Sequence, residues 1–319
     1  MAPRFTTTSI LRRSVLRGSA GLGLGVLAGL ARGGRAFAGA PPRFKTVEEG
    51  YITIAMSGTM PTTGIQDGKI TGSDAEMVAA IAEKLGLKAK PAVMAWSATI
   101  EAIRSGRADI MCGDMGWTPA RSNAMLLTDA IYYDGNFVTM KKDKPFKDFI
   151  NVNDMGGHSV GTGTGYSYVP DLKKIPNIRD VRLYDNVDGC IRDVVAGRMD
   201  FAVLDSMNVE YMLLQNPDID LKLVPIKPNS EYPDLTGKGR AVLGMNQQNP
   251  DLFDAVNAGV KWLWTSKTNA RLLAQNGMTS SDYLVAPQKD PRIGVDRDAK
   301  GNILGPAAHA PKDYSALFA

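Results

Sequence analysis

The feature that most constrains the fold is an alternation of strand-like runs and helical patterns that occurs twice along the chain. The first unit has strand, helix, strand, helix and strand patterns at 51–55, 75–85, 88–94, 97–105 and 109–112. The second unit repeats much of this plan, with a strand at 159–161, a Gly/Thr loop at 162–165 and a helix after it, and then strand, helix and strand patterns at 181–184, 187–196 and 201–204. A further helical pattern covers 252–276. Such alternation predicts mainly parallel sheets with helices on their faces. We therefore expect an α/β fold with two lobes, which a length of 319 residues accommodates.

Residues 1–38 differ in composition from the rest of the chain. They carry six arginines and no acidic residue, and they account for the formal net charge of +4. The pair Arg12-Arg13 precedes an apolar run over 18–31, and Ala36-Phe37-Ala38 places small residues at a cleavage site. This order predicts a secretory signal peptide over 1–38, and the paired arginines favour the twin-arginine route. We expect the mature protein to lie in the periplasm.

The remaining sequence excludes several classes of function. It shows no basic stripe with interleaved aromatic residues, so we expect no nucleic-acid partner. His158 and His309 lie in different regions and no phosphate-loop pattern occurs, so we expect no catalytic residue, no cofactor and no metal site. Cys112 and Cys190 allow one disulfide in an exported chain, although their apolar surroundings favour two buried, unpaired thiols.

Several short motifs occur in the order and spacing of one known family. They are Gly68–Asp74, Trp96, Gly106–Ile110, Thr118–Arg121, Tyr132–Tyr133, Val160–Gly165, Gly197–Asp200 and Asp205–Ser206. Over 51–277 the chain resembles the periplasmic solute-binding proteins of polar amino-acid uptake systems, the bacterial extracellular solute-binding proteins of family 3. The resemblance implies a type II periplasmic-binding-protein fold, whose two α/β lobes are joined by a two-segment hinge.

The resemblance also implies domain limits. Lobe 1 would comprise 45–133 and 241–282, and lobe 2 would comprise 134–240. The hinge segments are expected near Tyr133-Asp134 and near Gly237–Gly239. An irregular C-terminal extension over 283–319 has no implied role.

In this family the arginine that ends the Thr-Pro-x-Arg motif binds the α-carboxylate of the ligand. Here that residue is Arg121. An arginine suits this role because its planar guanidinium donates two parallel hydrogen bonds to a carboxylate. The alternative is a surface arginine in an ordinary turn. Backbone N–H groups of Thr164-Gly165-Tyr166, at a helix N-terminus, would bind the same carboxylate unless they form only a tight turn. Asp205 would pair with the ligand's ammonium group, or else cap the helix that follows.

Other positions depart from the family pattern. The chain has Asp114-Met115-Gly116 where Gly-x-Thr is usual, and Met60 stands near the position of a ligand-stacking aromatic residue. A carboxylate in a pocket needs a partner, so Asp114 favours a ligand with extra positive charge unless it only braces its loop. Trp96 and Trp117 would either form pocket walls or pack in the core. The predicted ligand-binding residues are Met60, Trp96, Asp114, Gly116, Trp117, Thr118, Arg121, Thr164, Gly165, Tyr166 and Asp205.

These observations favour a binding protein. We expect the substrate-binding component of an ABC transporter, a monomer that captures an amino acid or related carboxylate-bearing, cationic solute for a membrane permease. The first alternative is a periplasmic dehydratase or lyase that acts on a cyclic carboxylate, with Asp114 as the candidate proton-transfer acid. The second is a receptor module for a signalling partner.

Overall fold

A computed structural model of the protein describes residues 43–306 and 308–319. The predicted signal peptide, 1–38, lies outside these residues. Within the described part, no helix has the length and apolar character needed to cross a membrane.

The predicted elements form close to their expected positions. The strands are β1 (Tyr51–Met56), β2 (Gly64–Gln66), β3 (Lys69–Thr71), β4 (Lys88–Val93), β5 (Ile110–Met111), β6 (Leu126–Leu127), β7 (Asn136–Met140), β8 (Ser159–Gly163), β9 (Asp180–Tyr184), β10 (Phe201–Asp205), β11 (Lys222–Pro225) and β12 (Gly244–Met245). The helices are α1 (Ser73–Lys84), α2 (Trp96–Arg104), α3 (Pro119–Ala124), α4 (Val169–Lys174), α5 (Val187–Val195), α6 (Ser206–Gln215), α7 (Pro233–Thr236), α8 (Pro250–Thr265) and α9 (Thr268–Gln275).

The strands form two five-stranded sheets and one small hairpin, β2-β3. Sheet 1 has the order β4-β1-β5-β12-β6, in which β1 pairs in parallel with β4 and β5, and β12 is antiparallel to both of its neighbours. Sheet 2 has the order β11-β7-β10-β8-β9, in which β8 pairs in parallel with β9 and β10, and β7 is antiparallel to β10 and β11. Each lobe therefore has three parallel strands and two further strands that complete the sheet.

Helices cover both faces of each sheet. In lobe 1, the side chains of α1, α8 and α9 form one apolar core with β1, and α2 contributes Ile103 to a second core on the opposite face. In lobe 2, α4 and α7 pack on one face, and Ile191 of α5 and Val209 of α6 pack on the other. Strands buried on both faces are expected to be nearly continuous apolar runs, which agrees with the β1 and β10 sequences. The type II two-lobe fold implied by the resemblance is confirmed.

The chain crosses twice between the sheets. It passes from β6 to β7 through 128–135 and returns from β11 to β12 through 226–243. The two crossing segments pair with each other: the Ala241 N–H donates to the Tyr132 carbonyl at 3.1 Å, and the Gly239 N–H donates to the Asp134 carbonyl. The expected lobe limits fall within these segments and stay a prediction.

Two predicted elements differ from the structure. The helical pattern over 252–276 is divided into α8 and α9 because Lys267 adopts a left-handed conformation, with φ of 57°. The Gly/Thr loop, predicted at 162–165, lies further along the chain at 164–168, since β8 continues through Gly163 and α4, with six residues, begins only at Val169.

The C-terminal extension packs on lobe 1 and ends in a short 3-10 helix, Ser315–Phe318. Its Phe318 is buried with its ring centroid 5.9 Å from that of Trp262. Cys112 and Cys190 are both free and buried, in the core of lobe 1 and the core of lobe 2 respectively, which agrees with the unpaired alternative.

Candidate ligand-binding site

A cavity of about 590 Å³ is lined by both lobes. The loops that follow β1, β4 and β5 contribute from lobe 1, and those that follow β8, β9 and β10 contribute from lobe 2. Ligands of open α/β sheets bind outside the carboxyl ends of the strands, where these loops lie. The two crossing segments contribute further residues, among them Asp134 and Arg240.

Most of the predicted site residues line this cavity. They are Trp96, Asp114, Gly116, Trp117, Arg121, Thr164, Tyr166 and Asp205. Met60 is not among the lining residues, because its Sδ atom packs against the β2-β3 hairpin, 3.8 Å from the Thr71 hydroxyl. From the same loop, Ser57, Thr59 and Thr62 line the cavity instead. Thr118 and Gly165 do not line it, but both contact Arg121.

The Thr-Pro-x-Arg motif forms the first turn of α3. Thr118 is the N-cap residue, and its hydroxyl accepts a hydrogen bond from the Arg121 N–H at 3.1 Å. Pro119 follows at the first helical position, where its fixed φ and missing N–H are tolerated. The motif therefore fixes the backbone from which the Arg121 side chain extends into the cavity.

The Arg121 side chain is buried, with 8% of the residue exposed, so it is not a surface arginine. Its guanidinium donates to the Gly116 carbonyl in lobe 1 and to the Gly165 carbonyl in lobe 2, the latter at 2.9 Å. It also lies 5.8 Å from the centre of the Trp96 ring, within the range of a cation–π contact. Burial lowers the pKa of Arg121 to about 10, which leaves it charged at neutral pH.

The Gly/Thr loop does not present the helix N-terminus that the resemblance implies. The Thr164 N–H donates to the Tyr184 carbonyl at 2.8 Å, and the Tyr166 N–H donates to the Gly163 carbonyl at 3.3 Å. These two N–H groups are therefore engaged within the protein. Gly163 has a structural role, since a Cβ atom there would lie 2.3 Å from the Tyr166 ring.

Asp114 occupies the turn after β5, with a positive φ of 51°. The turn is braced by Asp74 of α1, whose carboxylate accepts hydrogen bonds from the Gly113 and Asp114 N–H groups at 3.2 and 2.8 Å. Bracing is thus the role of Asp74. The Asp114 carboxylate faces the cavity, where the Tyr132 hydroxyl donates to it at 3.3 Å.

Three carboxylates meet in the cavity. One oxygen each from Asp114, Asp134 and Asp205 lies within 4.8 Å of the other two. Asp134 also accepts a hydrogen bond from the Ser206 hydroxyl at 2.9 Å. Asp205 is the N-cap residue of α6, but its side chain makes no capping hydrogen bond, so the capping alternative is wrong. We call these three residues the acidic cluster.

The acidic cluster resists full ionisation. Burial raises the pKa of Asp205 to about 8, and the nearby Asp134 carboxylate adds to this shift. Burial also raises the pKa of Asp134 to about 6, and it raises the pKa of Asp114 well above its usual range with a further contribution from Asp205. Like charges held close together in a poorly solvated site disfavour ionisation. A cation between the three carboxylates would remove this penalty.

Two kinds of cation fit the donor set. Carboxylate oxygens are ligands of hard metal ions such as Ca²⁺ and Mg²⁺, although the sequence predicts no metal site. An ammonium group has three N–H donors, one for each carboxylate. The cluster is therefore able to bind either a hard metal ion or the ammonium group of an organic molecule.

Sequence reasoning missed several residues that line the cavity. Asp134 was expected only as part of a hinge, and Arg240 and Pro291 were not expected at the site. Asn208 also lines the cavity, and its Oδ1 atom is buried without a hydrogen-bond partner among the described residues. The position of Asn208, three residues after Asp205 at the start of α6, was the one sequence signal available for it.

A family comparison agrees with this architecture. Residues 52–278 match the model of the bacterial extracellular solute-binding proteins, family 3. The chain belongs to this family. Its two-lobe fold is thus that of a solute-binding protein.

Curated relatives are distant in sequence. The chain is 27% identical to the probable amino-acid-binding protein YxeM of Bacillus subtilis over 160 residues, which are 50% of this chain and 60% of that protein. It is 25% identical to the L-cystine-binding protein TcyJ of Escherichia coli over 222 residues, which are 68% of this chain and 78% of that protein. The match to YxeM thus spans less than two thirds of that relative's length.

Solved structures share the fold. The amino acid ABC transporter substrate-binding protein AbpA of Streptococcus pneumoniae, bound to L-arginine, has a TM-score of 0.64 at 22% identity, over 71% of this chain and 94% of that one. The ancestral amino-acid-binding protein AncCDT-1, described as a precursor of cyclohexadienyl dehydratase, has a TM-score of 0.61 at 21% identity, over 71% and 95%.

Proposed function

We propose that this protein is the substrate-binding component of an ABC transporter and captures an amino acid with a cationic group. Arg121 would bind the carboxylate of the ligand, and the acidic cluster would bind its ammonium or other cationic end. The observation that carries this proposal is the placement of the buried Arg121 guanidinium and the acidic cluster in a single cavity between two lobes, which Arg240 also lines. Unlike charges at two ends match a zwitterionic molecule.

The excess of acidic groups refines the ligand class. Arg121 already donates to two backbone carbonyls, and two of its five N–H donors are used by described residues. The remaining donors are sufficient for a carboxylate. If a bound cation ionises the whole acidic cluster, one ammonium group balances only one of its three negative charges. A diamino or guanidino acid, such as lysine, ornithine or arginine, supplies a second positive charge.

The cellular setting follows from the family and from the sequence. The relatives bear the names of amino-acid-binding and ABC transporter proteins. We propose that this chain is exported by its twin-arginine signal, acts in the periplasm as a monomer and delivers its ligand to a membrane permease. The export route is tested by fractionating cells that produce the variant with both Arg12→Lys and Arg13→Lys, and by measuring the amount of the protein in the periplasm. Unchanged periplasmic levels would contradict it.

A thermal-shift screen tests the ligand class. The panel contains the common amino acids, ornithine, agmatine, putrescine and a cyclohexadienyl carboxylate. A ligand that binds only the folded state raises the melting temperature by mass action. We expect lysine, ornithine or arginine to give the largest increase, and agmatine and putrescine, which lack the carboxylate, to give little. A larger shift with putrescine than with any amino acid would contradict the role of Arg121.

The enzyme alternative has one observation in its favour. A carboxyl group that keeps its proton near neutral pH is suited to proton transfer, and the pKa of Asp205 is raised to about 8. The structural likeness to a dehydratase precursor concerns the fold alone. Release of an aromatic product from the cyclohexadienyl carboxylate of the panel would favour this alternative over simple binding.

A further inference from the structure

The C-terminal extension reaches the cavity at Pro291, and the residues around it, 289–297, contact two cavity-lining residues, Trp117 and Arg240. We call residues 289–297 the third wall. These residues lie beyond the range 52–278 that matches the family model. The AbpA structure is covered over 94% of its length by 71% of this chain, so part of this chain has no counterpart in that structure.

Two buried arginines attach the third wall to sheet 1. Arg292 donates to the Thr128 and Leu127 carbonyls at 2.6 and 2.8 Å, and Arg297 donates to the Leu127 carbonyl at 3.1 Å. Strand β6, which contains Leu127, is the edge strand of sheet 1, and the outer carbonyls of an edge strand lack strand partners. Both arginines are only 2% exposed, so the segment is anchored at fixed positions.

The third wall also contacts the Trp117 side chain. The Trp117 indole N–H donates to the Asp296 carboxylate at 2.9 Å, and the Arg292 guanidinium lies 5.8 Å from the centre of the Trp117 ring. Asp296 also pairs with Arg292 at 2.8 Å. Because Trp117 lines the cavity, these contacts fix the orientation of a ring that faces the ligand.

Arg240 is held in a similar way. It pairs with Asp290 at 3.2 Å and donates to the Lys289 carbonyl, and its own carbonyl accepts a hydrogen bond from the Trp117 N–H at 2.9 Å. Arg240 lies in the second crossing segment and lines the cavity, as does the neighbouring Pro291. The third wall thus connects a lobe 1 side chain with a crossing segment.

We propose that the third wall is part of the binding site and that Asp296 is a positioning residue, which sets ligand affinity by fixing the Trp117 ring against the cavity. This inference rests on the proposed function, because affinity is defined only for a protein that binds a small solute. The extension then has a role in recognition that the family core does not supply.

The test measures ligand affinity in Asp296→Asn, in Trp117→Phe and in the double variant. Trp117→Phe keeps an aromatic ring but removes the donor to Asp296 together with part of the indole, so it is informative even if Asp296→Asn folds poorly. The control is Asp298→Asn, since Asp298 accepts hydrogen bonds from its own loop, from Lys300 and Asn302. The probe is the amino acid with the largest shift in the thermal screen, titrated by calorimetry, and melting temperatures are measured without it.

We expect each single variant to weaken binding by about tenfold. The double variant should bind no more weakly than Trp117→Phe, because the hydrogen bond between Trp117 and Asp296 is already lost in that variant. Asp298→Asn should stay within about twofold of the unmodified protein. Unchanged affinity in both single variants, or additive losses in the double variant, would overturn the proposal. If no panel compound binds the unmodified protein, the proposed function fails, and this inference fails with it. Normal binding by the variants overturns the inference alone.

Discussion

The two charged ends of the cavity differ in how many stabilising contacts the protein itself makes with them. The Arg121 guanidinium donates to carbonyls of both lobes and lies beside the Trp96 ring. The acidic cluster has three carboxylates within 4.8 Å, and the hydrogen bonds that it accepts come from the hydroxyls of Ser206 and Tyr132. The positive end is therefore solvated by the protein, whereas the negative end has no ion-pair partner among the residues that the structure describes.

This difference assigns separate roles to the two ends. A group whose charge is already solvated by fixed dipoles binds a partner with little reorganisation. A group that keeps its proton because it is buried, and because its neighbours carry like charge, must lose that proton when a cation takes its place. We infer that Arg121 orients the ligand, and that the acidic cluster couples ligand binding to proton release.

The largest effect is expected at the positive end. Arg121→Ala removes the donor to the ligand carboxylate and leaves that carboxylate unpaired, at a cost on the order of 2–5 kcal/mol of binding free energy. Arg121→Lys should restore only part of it, since an ammonium group does not donate two parallel hydrogen bonds. Calorimetry with the best amino acid of the screen measures both. Near-normal affinity in Arg121→Ala would contradict the proposal that Arg121 binds the carboxylate of the ligand.

A smaller effect is expected at the negative end. Asp205→Asn removes one of three carboxylates, so the other two still bind the cation, and we expect a loss of about 1–3 kcal/mol of binding free energy. Asp114→Asn should give a similar or smaller loss. The matched control is Asp185→Asn, because Asp185 is an exposed carboxylate that lines the same cavity outside the cluster. Equal losses in Asp185→Asn and Asp205→Asn would indicate a diffuse electrostatic effect and contradict a specific subsite.

The sequence predicted the parts of this site that depend on local patterns. Helical periodicity and glycine stops locate α1, α2 and α5, and the Thr-Pro-x-Arg motif locates Arg121 because cap, proline and arginine are neighbours in one turn. The two-residue strands β5, β6 and β12 carry too little local signal to set their extent. Their limits are decided by pairing between distant segments.

The remaining site residues depend on tertiary contacts. Asp134 and Arg240 reach the cavity because the two crossing segments pair, and these segments are far apart in sequence. The direction of the Met60 side chain is decided by its packing on the hairpin, which a position near a proline does not reveal. The third wall lacks a periodic pattern because its order comes from guanidinium-to-carbonyl hydrogen bonds rather than from secondary structure.

Proton release gives a third test of the comparison. If a cationic ligand ionises the acidic cluster, binding at neutral pH releases protons, and affinity increases as the pH rises from about 5 to about 8. The upper limit follows from the pKa of Asp205, which is about 8 without ligand. Titrations in two buffers with different heats of ionisation measure the number of protons released. Equal heats in both buffers would mean that the cluster does not change ionisation.

The smallest expected effect concerns the protein without ligand. Asp205 has a pKa of about 8 in the folded state and an ordinary value near 3.8 in the unfolded chain, so the folded state binds its proton more tightly. Between these values the free energy of unfolding therefore decreases as the pH rises, and below about pH 4 both states are protonated and the effect vanishes. We expect the melting temperature to fall by a few degrees between pH 5 and pH 8, and we expect Asp205→Asn to flatten this slope.

The same slope in Asp205→Asn and in the unmodified protein would assign the pH dependence to other groups. Asp74 and Asp134, with pKa values of about 6, are the first of these to substitute. Arg121 keeps its charge over this whole range, so its own ionisation does not contribute to the slope.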